Sequence, residues 1–499
     1  MSSDLVLTAD IGTSGCKAAV YNQDLELIAT AQHAYRTHYA AGLRAEQNAR
    51  DWWNAFRACA RDLISEHAVD PRAIVGIGID GMSSTMCALD SAGNEVGPAL
   101  IWLDRRATQE SRGLSDKHAE RWKHINGNRP DASGVGPKLM WLAENQPDLY
   151  ERIDSVVLPN GYLGYRLTAR LSMDRSQGGL SGLFDLDRGD WSEALIGVCG
   201  LKASIFPEVF ESTAVIGGVT EDAARETGIA AGTPVIAGMM DNVAAGLGAG
   251  VRTPGQLYVG AGTATNAGAC VAHPTEQDRL LQYHHGLPDR VLLMGGVDYG
   301  GAGVRWFSEL LGLAPGELDR IVRSGSTPEE PMLFLPYMIG QRAPLWNEDS
   351  RGVLAGISPA STREDVLRAL MEGNAFGTRL TLELVEEAIS GTDEKGFGKG
   401  ELRMTGGCTQ SRAWTQVFAD ILGREVAIPG EKDVSTLGCA IAALIGLGID
   451  SESEATARIP ISARYEPDPE RAAYYDELYR AYLRLYESIQ PTYEALARS

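Results

Sequence analysis

Cysteine is sparse in this chain and never spaced for a task. Seven cysteines lie scattered at 16, 59, 87, 199, 270, 408 and 439, and no pair has C-x-x-C spacing. An odd, dispersed set argues against a disulfide framework and a zinc site, and it points to a reducing cytoplasm. The eight histidines show no metal spacing, and the adjacent His284 and His285 read as loop residues. Basic side chains are in deficit, 45 Lys and Arg against 66 Asp and Glu, a net charge of −21. That excludes a non-specific binder of nucleic acid or of an anionic membrane, so neither is expected as a partner. An anionic small molecule stays possible, because backbone N–H groups hold phosphate locally. Long apolar runs are missing too. The most apolar late segment, Val434 to Ile449, is short for a membrane span and rich in Gly and Ala, so it reads as a buried helix. Met-Ser-Ser-Asp runs straight into a strand, and no signal peptide is expected.

What remains is an ordinary globular composition, 44% apolar and 22% charged, in a chain of 499 residues. That length exceeds one core and calls for two domains or more. The early pattern is three short strands, a helical segment from Ala49 to His67, then the continuous apolar run Ile74-Val-Gly-Ile-Gly-Ile-Asp80. Such a run suits a strand covered on both faces, so a mixed sheet with helices packed on it is expected. The same order recurs after residue 250: strand from Gln256, turn, strand, a further strand from Val291, and a helix from about Gly303. Two halves sharing one pattern suggest a duplication with its boundary near residues 245–255, and a ligand in the cleft between them.

Several motifs carry chemistry. Asp10-Ile-Gly12-Thr13-Ser14-Gly15-Cys16-Lys17 joins two strands with a glycine-rich turn. Its N–H groups form an anion nest, Asp10 suits an outer-sphere carboxylate for Mg²⁺, and Lys17 could neutralise phosphate charge. The plainer reading is a hairpin with a solvated lysine. Gly260-Ala-Gly262-Thr263-Ala-Thr265 repeats the theme, and two such turns at matching places would hold phosphates from both sides. Asp241-Asn242 closes an apolar strand and opens a Gly/Ala-rich helix. Asp241 is either an N-cap or a general base, and the nearby Gly-Thr turn favours the base. Gly406-Gly407-Cys-Thr-Gln410-Ser411 lets a flat ring lie against backbone, as adenine does, or is a plain turn capped by Ser411; the helix near Leu437 to Ala443 would form the other wall. Met82-Ser83-Ser84-Thr85 and Trp102-Leu-Asp104-Arg105-Arg106 together suit a polyol, with an indole over its C–H face and polar groups on its hydroxyls. Alternatively they are a capped turn and a surface Asp–Arg pair. Tyr474 to Tyr493 reads as an aromatic amphipathic helix packed on the body.

The chain as a whole resembles the FGGY family of carbohydrate kinases within the actin/hexokinase-like ATPases. The likeness rests on the Asp10 to Lys17 turn, Glu46-Gln47 with Trp52-Trp53, Trp102-Leu-Asp104, Gly238-Met-Met-Asp241-Asn242, Gly260 to Thr263, Phe334 to Trp346, Arg351-Gly352, and Thr405-Gly-Gly407 with Trp414 and Asp420. The resemblance implies an α/β protein of two actin/hexokinase-like (ribonuclease H-like) domains, each a mixed five-stranded sheet flanked by helices, residues 1–248 and 249–499. It implies ATP and Mg²⁺ as cofactors, a small-molecule sugar as acceptor, and a homodimer as a common assembly. Asp241 falls on the family's catalytic base, Asp10 on the metal-linked carboxylate, and Gly12, Thr13, Ser14, Lys17, Gly262, Thr263 and Gly303 on phosphate-side positions. Gly406, Gly407 and Gln410 fall on the adenosine site, and Met82, Ser83, Ser84, Trp102, Asp104, Asp241 and Asn242 on the acceptor site. Within the family the likeness is greatest to xylulokinases, which makes D-xylulose the expected acceptor. Met82 to Thr85 departs from their Gln-Met-His-Gly stretch towards the pattern of ribulokinases. Ribulose or another ketose or polyol is therefore the alternative, and a non-catalytic sensor on the same fold is a third reading.

Overall fold

The computed structural model describes residues 4–313, 317–322, 330–390 and 401–498. In the first half, Leu5–Ile11 (β1), Gly15–Asn22 (β2) and Leu27–Ala34 (β3) form an antiparallel meander. Ile74–Gly81 (β4) lies parallel to β1 on the other side. Beyond it come Val215–Gly218 (β5) and Pro234–Ile236 (β6), and Met239–Met240 (β7) also pairs with β4. The order across the sheet is β5-β6-β4-β1-β2-β3. In the second half the strands are Leu257–Ala261 (β8), Thr265–Val271 (β9), Leu281–His284 (β10), Val291–Val297 (β11), Leu402–Thr405 (β12), Val426–Pro429 (β13) and Ile461–Tyr465 (β14). Their order is β10-β11-β9-β8-β12-β13-β14.

Six strands of each sheet match in order and direction. The hairpin β1–β2 corresponds to β8–β9, the parallel neighbour β4 to β12, and β6 to β13. The antiparallel edges β5 and β14 complete the match, and β3 corresponds to β11. Each sheet has seven strands where the family pattern led us to expect five. The edges β5 and β14, with the short β7 and β10, make up the difference.

The helices that position the site are Ala49–Ser65 (α1), Val135–Asn145 (α2), Asp241–Gly248 (α3), Gly300–Leu310 (α4), Arg363–Ile389 (α5), Arg412–Leu422 (α6), Val434–Gly446 (α7) and Pro469–Arg498 (α8). Helix α1 starts at the N-cap Asn48, whose side chain accepts from Arg50 N, and buries Trp52, Trp53, Phe56 and Leu63 on the first sheet. Helix α8 buries Tyr475, Tyr479 and Tyr482 beside Phe376 of α5. No helix among the described residues is long and apolar enough to cross a membrane.

Helix α7 comes from the second half of the chain yet lies on the first sheet. Its approach to β4 is so close that a Cβ at Gly78 would sit 2.4 Å from Cys439 O. Three polar contacts at three-residue intervals hold it there: Asp433 to Lys17, Thr436 to Tyr21, and Cys439 to Asp80. Helix α3 crosses α7 backbone to backbone. A Cβ at Gly248 would lie 1.8 Å from Val434 O, and one at Gly438 would lie 1.9 Å from Ala244 O.

Candidate active site

Two similar turns face the cleft between the sheets. In the β1–β2 turn Gly12 N donates to Gly15 O at 3.1 Å, and in the β8–β9 turn Gly262 N donates to Ala264 O at 2.9 Å. Ser14, Gly262 and Thr263 are exposed. The first turn is fixed from behind. Gln47 Nε2 donates to Thr13 O at 2.8 Å, and Trp52 Nε1 donates to Gln47 Oε1 at 2.8 Å. The second is fixed by α4, where Ala302 N donates to Thr263 O at 3.0 Å and a Cβ on Gly301 would strike Gly262 O. Gly303 is not at that turn. The helix begins at Gly300, earlier than expected, so Gly303 faces inward onto Met338.

Three carboxylates gather at the ends of the central strands. Asp10 and Asp80 are register partners on β1 and β4, and Asp241 opens α3 just after β7, which pairs with the end of β4. Asp241 does not act as an N-cap: that position is Met240, and the carboxylate accepts from Asn242 N at 2.7 Å. Burial, and then the charge of Asp10, pushes Asp241 up to about 7. Burial also lifts Asp10 to about 6, with Asp433 raising it further and Lys17 opposing. Asp80 is pushed well up by burial and by Asp10, and Cys439 Sγ donates to its Oδ2 at 3.0 Å. Lys17 is not a free cation beside the turn, since its Nζ lies 2.8 Å from Asp433 Oδ2.

In the cleft, one small chamber is lined by Ser83, Asn242, Asn266, Tyr283, Asp298 and Arg342. A second is lined by Ser84, Trp122, Asn128 and Asp131 and shares Leu180, Leu281 and Arg342 with the first. Asn266 Nδ2 donates to Asn242 Oδ1 at 3.1 Å, joining the halves over the first chamber. Trp102 Nε1 donates to Thr13 Oγ1 at 3.0 Å, and the Arg342 guanidinium carbon lies 5.7 Å from the Trp102 ring centroid. Lys138 of α2 fixes this corner. Its buried Nζ donates to the carbonyls of Ser84 at 2.7 Å, Leu100 at 3.1 Å and Ile101 at 2.8 Å, and burial pulls its pKa down to about 7.

Two expected acceptor contacts are corrected. Met82 is buried in the hydrophobic core under the first sheet. Asp104 is fully buried and already saturated: Ala45 N donates to Oδ2 at 2.7 Å, and Arg106 donates to both oxygens. The i+2 arginine turns Asp104 into an anchor for the β-ribbon at Ala45, away from the cleft. Arg342, Asn266, Tyr283 and Asp298 are additions from the second half. Asn266 lies in the strand after the second glycine turn and Arg342 in the Phe334 to Trp346 segment, but the sequence reading gave neither a role.

A cleft lies beyond the second turn, lined by Gly406, Gly407 and Gln410 on one side. Gly406 needs φ +96, and a Cβ there would lie 2.4 Å from Ala261 O. The opposite wall is Ile428 to Lys432 with Ser462, not Leu437 to Ala443, because α7 buries that stretch against β4 and α3. Ser411 also caps α6, accepting from Trp414 N, so the capped turn and the open glycine face coexist.

The FGGY carbohydrate kinase N-terminal domain model matches residues 5–248, and the C-terminal domain model matches residues 257–447. A xylulose kinase of Escherichia coli (strain K12) is 27% identical over 490 residues, 97% of this chain and 98% of its own. A glycerol kinase of Thermococcus gammatolerans is 29% identical over 464 residues, 89% of each chain. The crystal structure of xylulose kinase from Rhodospirillum rubrum superposes with a TM-score of 0.89 at 27% identity, covering 98% of this chain and 100% of that one. With both family domains matched in sequence, and the duplicated sheets closing on one cleft, the chain belongs to the FGGY family of carbohydrate kinases.

Proposed function

We propose that the protein transfers the γ-phosphoryl group of ATP to the terminal hydroxyl of a ketopentose, D-xylulose first among the acceptors. The observation that carries this is the placement of Asp241. It has a carboxylate lifted to about 7, its neighbour Asn242 lines the acceptor chamber, and Asp10 with the first glycine turn lies beside it. A base poised near neutral pH suits removal of a hydroxyl proton. The acceptor oxygen attacks the γ-phosphorus, the bond to the β-phosphate bridging oxygen breaks, ADP departs, and the hydroxyl proton passes to Asp241. The N–H groups of the Gly12–Gly15 and Gly262–Ala264 turns hold the phosphates. The Gly406 to Gln410 face takes the adenosine. Asp10 is one carboxylate in a partly open setting. Asp10 would hold an ATP-bound Mg²⁺ through water. When bound, Mg²⁺ supplies charge neutralisation on the phosphates.

Xylulose is favoured over glycerol by coverage, since the E. coli xylulose kinase spans 97% of this chain and the Thermococcus glycerol kinase 89%. Ribulose stays a second reading because Ser83 and Ser84 present only small hydroxyls to the chambers. The test is ADP release with Mg-ATP across D-xylulose, L-xylulose, D- and L-ribulose, L-fuculose, glycerol, gluconate and erythritol. The highest kcat/KM is expected for D-xylulose. Preference for another acceptor would move the specificity assignment to Ser83 and Ser84, and silence on every acceptor would overturn the kinase reading.

A further inference from the structure

The Lys17–Asp433 pair joins the phosphate turn to the nucleotide cleft. Lys17 lies three residues beyond Ser14 in the first turn, on β2. Asp433 directly follows Gly430 to Lys432, which wall the adenosine-side cleft. A nucleotide with its base in that cleft and its phosphates on the Gly12 turn must therefore pass this pair. The pair is half-open, with side-chain exposures of 35% for Lys17 and 17% for Asp433, so it is neither locked nor far from solvent. Ion pairs of this kind are weak, and a polyphosphate offers the ammonium more negative charge than one carboxylate does. Helix α7 would not move when the pair opens, because Tyr21 to Thr436 at 2.9 Å and Cys439 to Asp80 at 3.0 Å hold it independently. Asp433 makes no side-chain cap bond to α7, so its carboxylate has no structural duty at the helix start.

We propose that Asp433 is a positioning residue that sets nucleotide affinity: it holds Lys17 while the phosphate site is empty, yields it to the phosphates of an arriving nucleoside di- or triphosphate, and then repels them, speeding the departure of ADP. This rests on the kinase reading above and assigns to Asp433 a role opposed to tight binding. The geometry gives it both the partner to surrender and the place to repel from.

The test is direct binding of MgADP and of adenosine by calorimetry to the full chain, wild type and Asp433→Asn, with thermal melts to confirm folding. Removing one unit charge beside the phosphates is expected to tighten ADP about tenfold, and to leave adenosine, which carries no phosphate, unchanged. Lys17→Met should weaken ADP, and Asp433→Asn should gain less in that background. ADP binding to Asp433→Asn that is equal to or weaker than wild type would overturn the proposal. So would an equal gain for adenosine. Wild-type protein that binds no ADP at all would overturn the kinase reading itself, and this inference with it.

Discussion

Replacing Asp241 with Asn should damage activity and improve stability together, and the pH dependence separates this from a simple loss of structure. In the folded protein the carboxyl is lifted from 3.8 to about 7, chiefly by burial. At about 1.4 kcal/mol per pH unit, three units correspond to about 4 kcal/mol. The cleft admits some water to Asp241, which screens part of that cost, so about 2 kcal/mol is the working figure. The sign follows from the raised value. The folded state holds its proton more tightly than the unfolded chain, so the benefit is complete below 3.8 and is lost as pH rises through 7. Asn cannot ionise and escapes that loss.

Without nucleotide or Mg²⁺, Asp241→Asn should therefore exceed wild type in stability at pH 8, with the gap shrinking to about 40% of that at pH 5. For a chain of this size the gap amounts to about 2 °C in melting temperature, readable by calorimetry at the two pH values. Turnover should fall about 10²- to 10⁴-fold, with KM for ATP little changed. A variant no more stable than wild type at pH 8, or one whose gain is the same at pH 5, would refute the buried-charge argument. Unchanged kcat would refute the assignment of the base.

Two further outcomes follow from buried contacts. Lys138→Met leaves the carbonyl of Ser84 without a donor, while Leu100 O keeps Met86 N and Ile101 O keeps Asp104 N, and urea unfolding should show a loss of about 1–3 kcal/mol. Its acceptor KM should rise as well, because Lys138 ties Ser84 to the strand leading into Trp102. Gly406→Ala would force φ +96 on a residue with a Cβ and drive that atom into Ala261 O. KM for ATP should rise more than about tenfold while adenosine-induced thermal stabilisation disappears; unaltered adenosine binding would place the base elsewhere.

How much of this was legible depended on distance along the chain. The two glycine turns are local objects: a glycine-rich hairpin needs only its own residues and the strands on either side, so the turns at Gly12 to Gly15 and Gly262 to Ala264 could be read directly as turns. Asp241 was legible for the same reason, being a strand end followed by a helix of small residues. Asp104 misled because composition shows a carboxylate and an arginine but not their geometry. The guanidinium of Arg106 closes back on Asp104 and removes it from the cleft. Met82 misled because it directly follows a strand buried on both faces, and its side chain joins the same core. The second half of the acceptor chamber was invisible for a deeper reason. Asn266, Tyr283, Asp298 and Arg342 reach Ser83 only after two sheets far apart in sequence have packed, and no periodicity records that meeting. The same holds for α7, read correctly as a buried helix but assigned to the wrong wall.

The packing also shows how one half of the protein can set both reactants. Thr13 belongs to the phosphate turn, yet its hydroxyl accepts from the Trp102 indole beside the acceptor chambers, and its carbonyl accepts from Gln47. Gln47 is held in turn by Trp52 of α1, inside the core. The turn and the indole therefore move as one body, and a displacement of the acceptor wall displaces the phosphate nest with it. Arg342 reaches across from the second half to the face of that indole, while Asp298 anchors its guanidinium at 3.2 Å. Asp241 opens α3, and further along that helix Ala244 and Gly248 meet Val434 and Gly438 of α7 backbone to backbone. Long side chains there would force the two helices apart and carry Asp241 away from the strand ends it now meets.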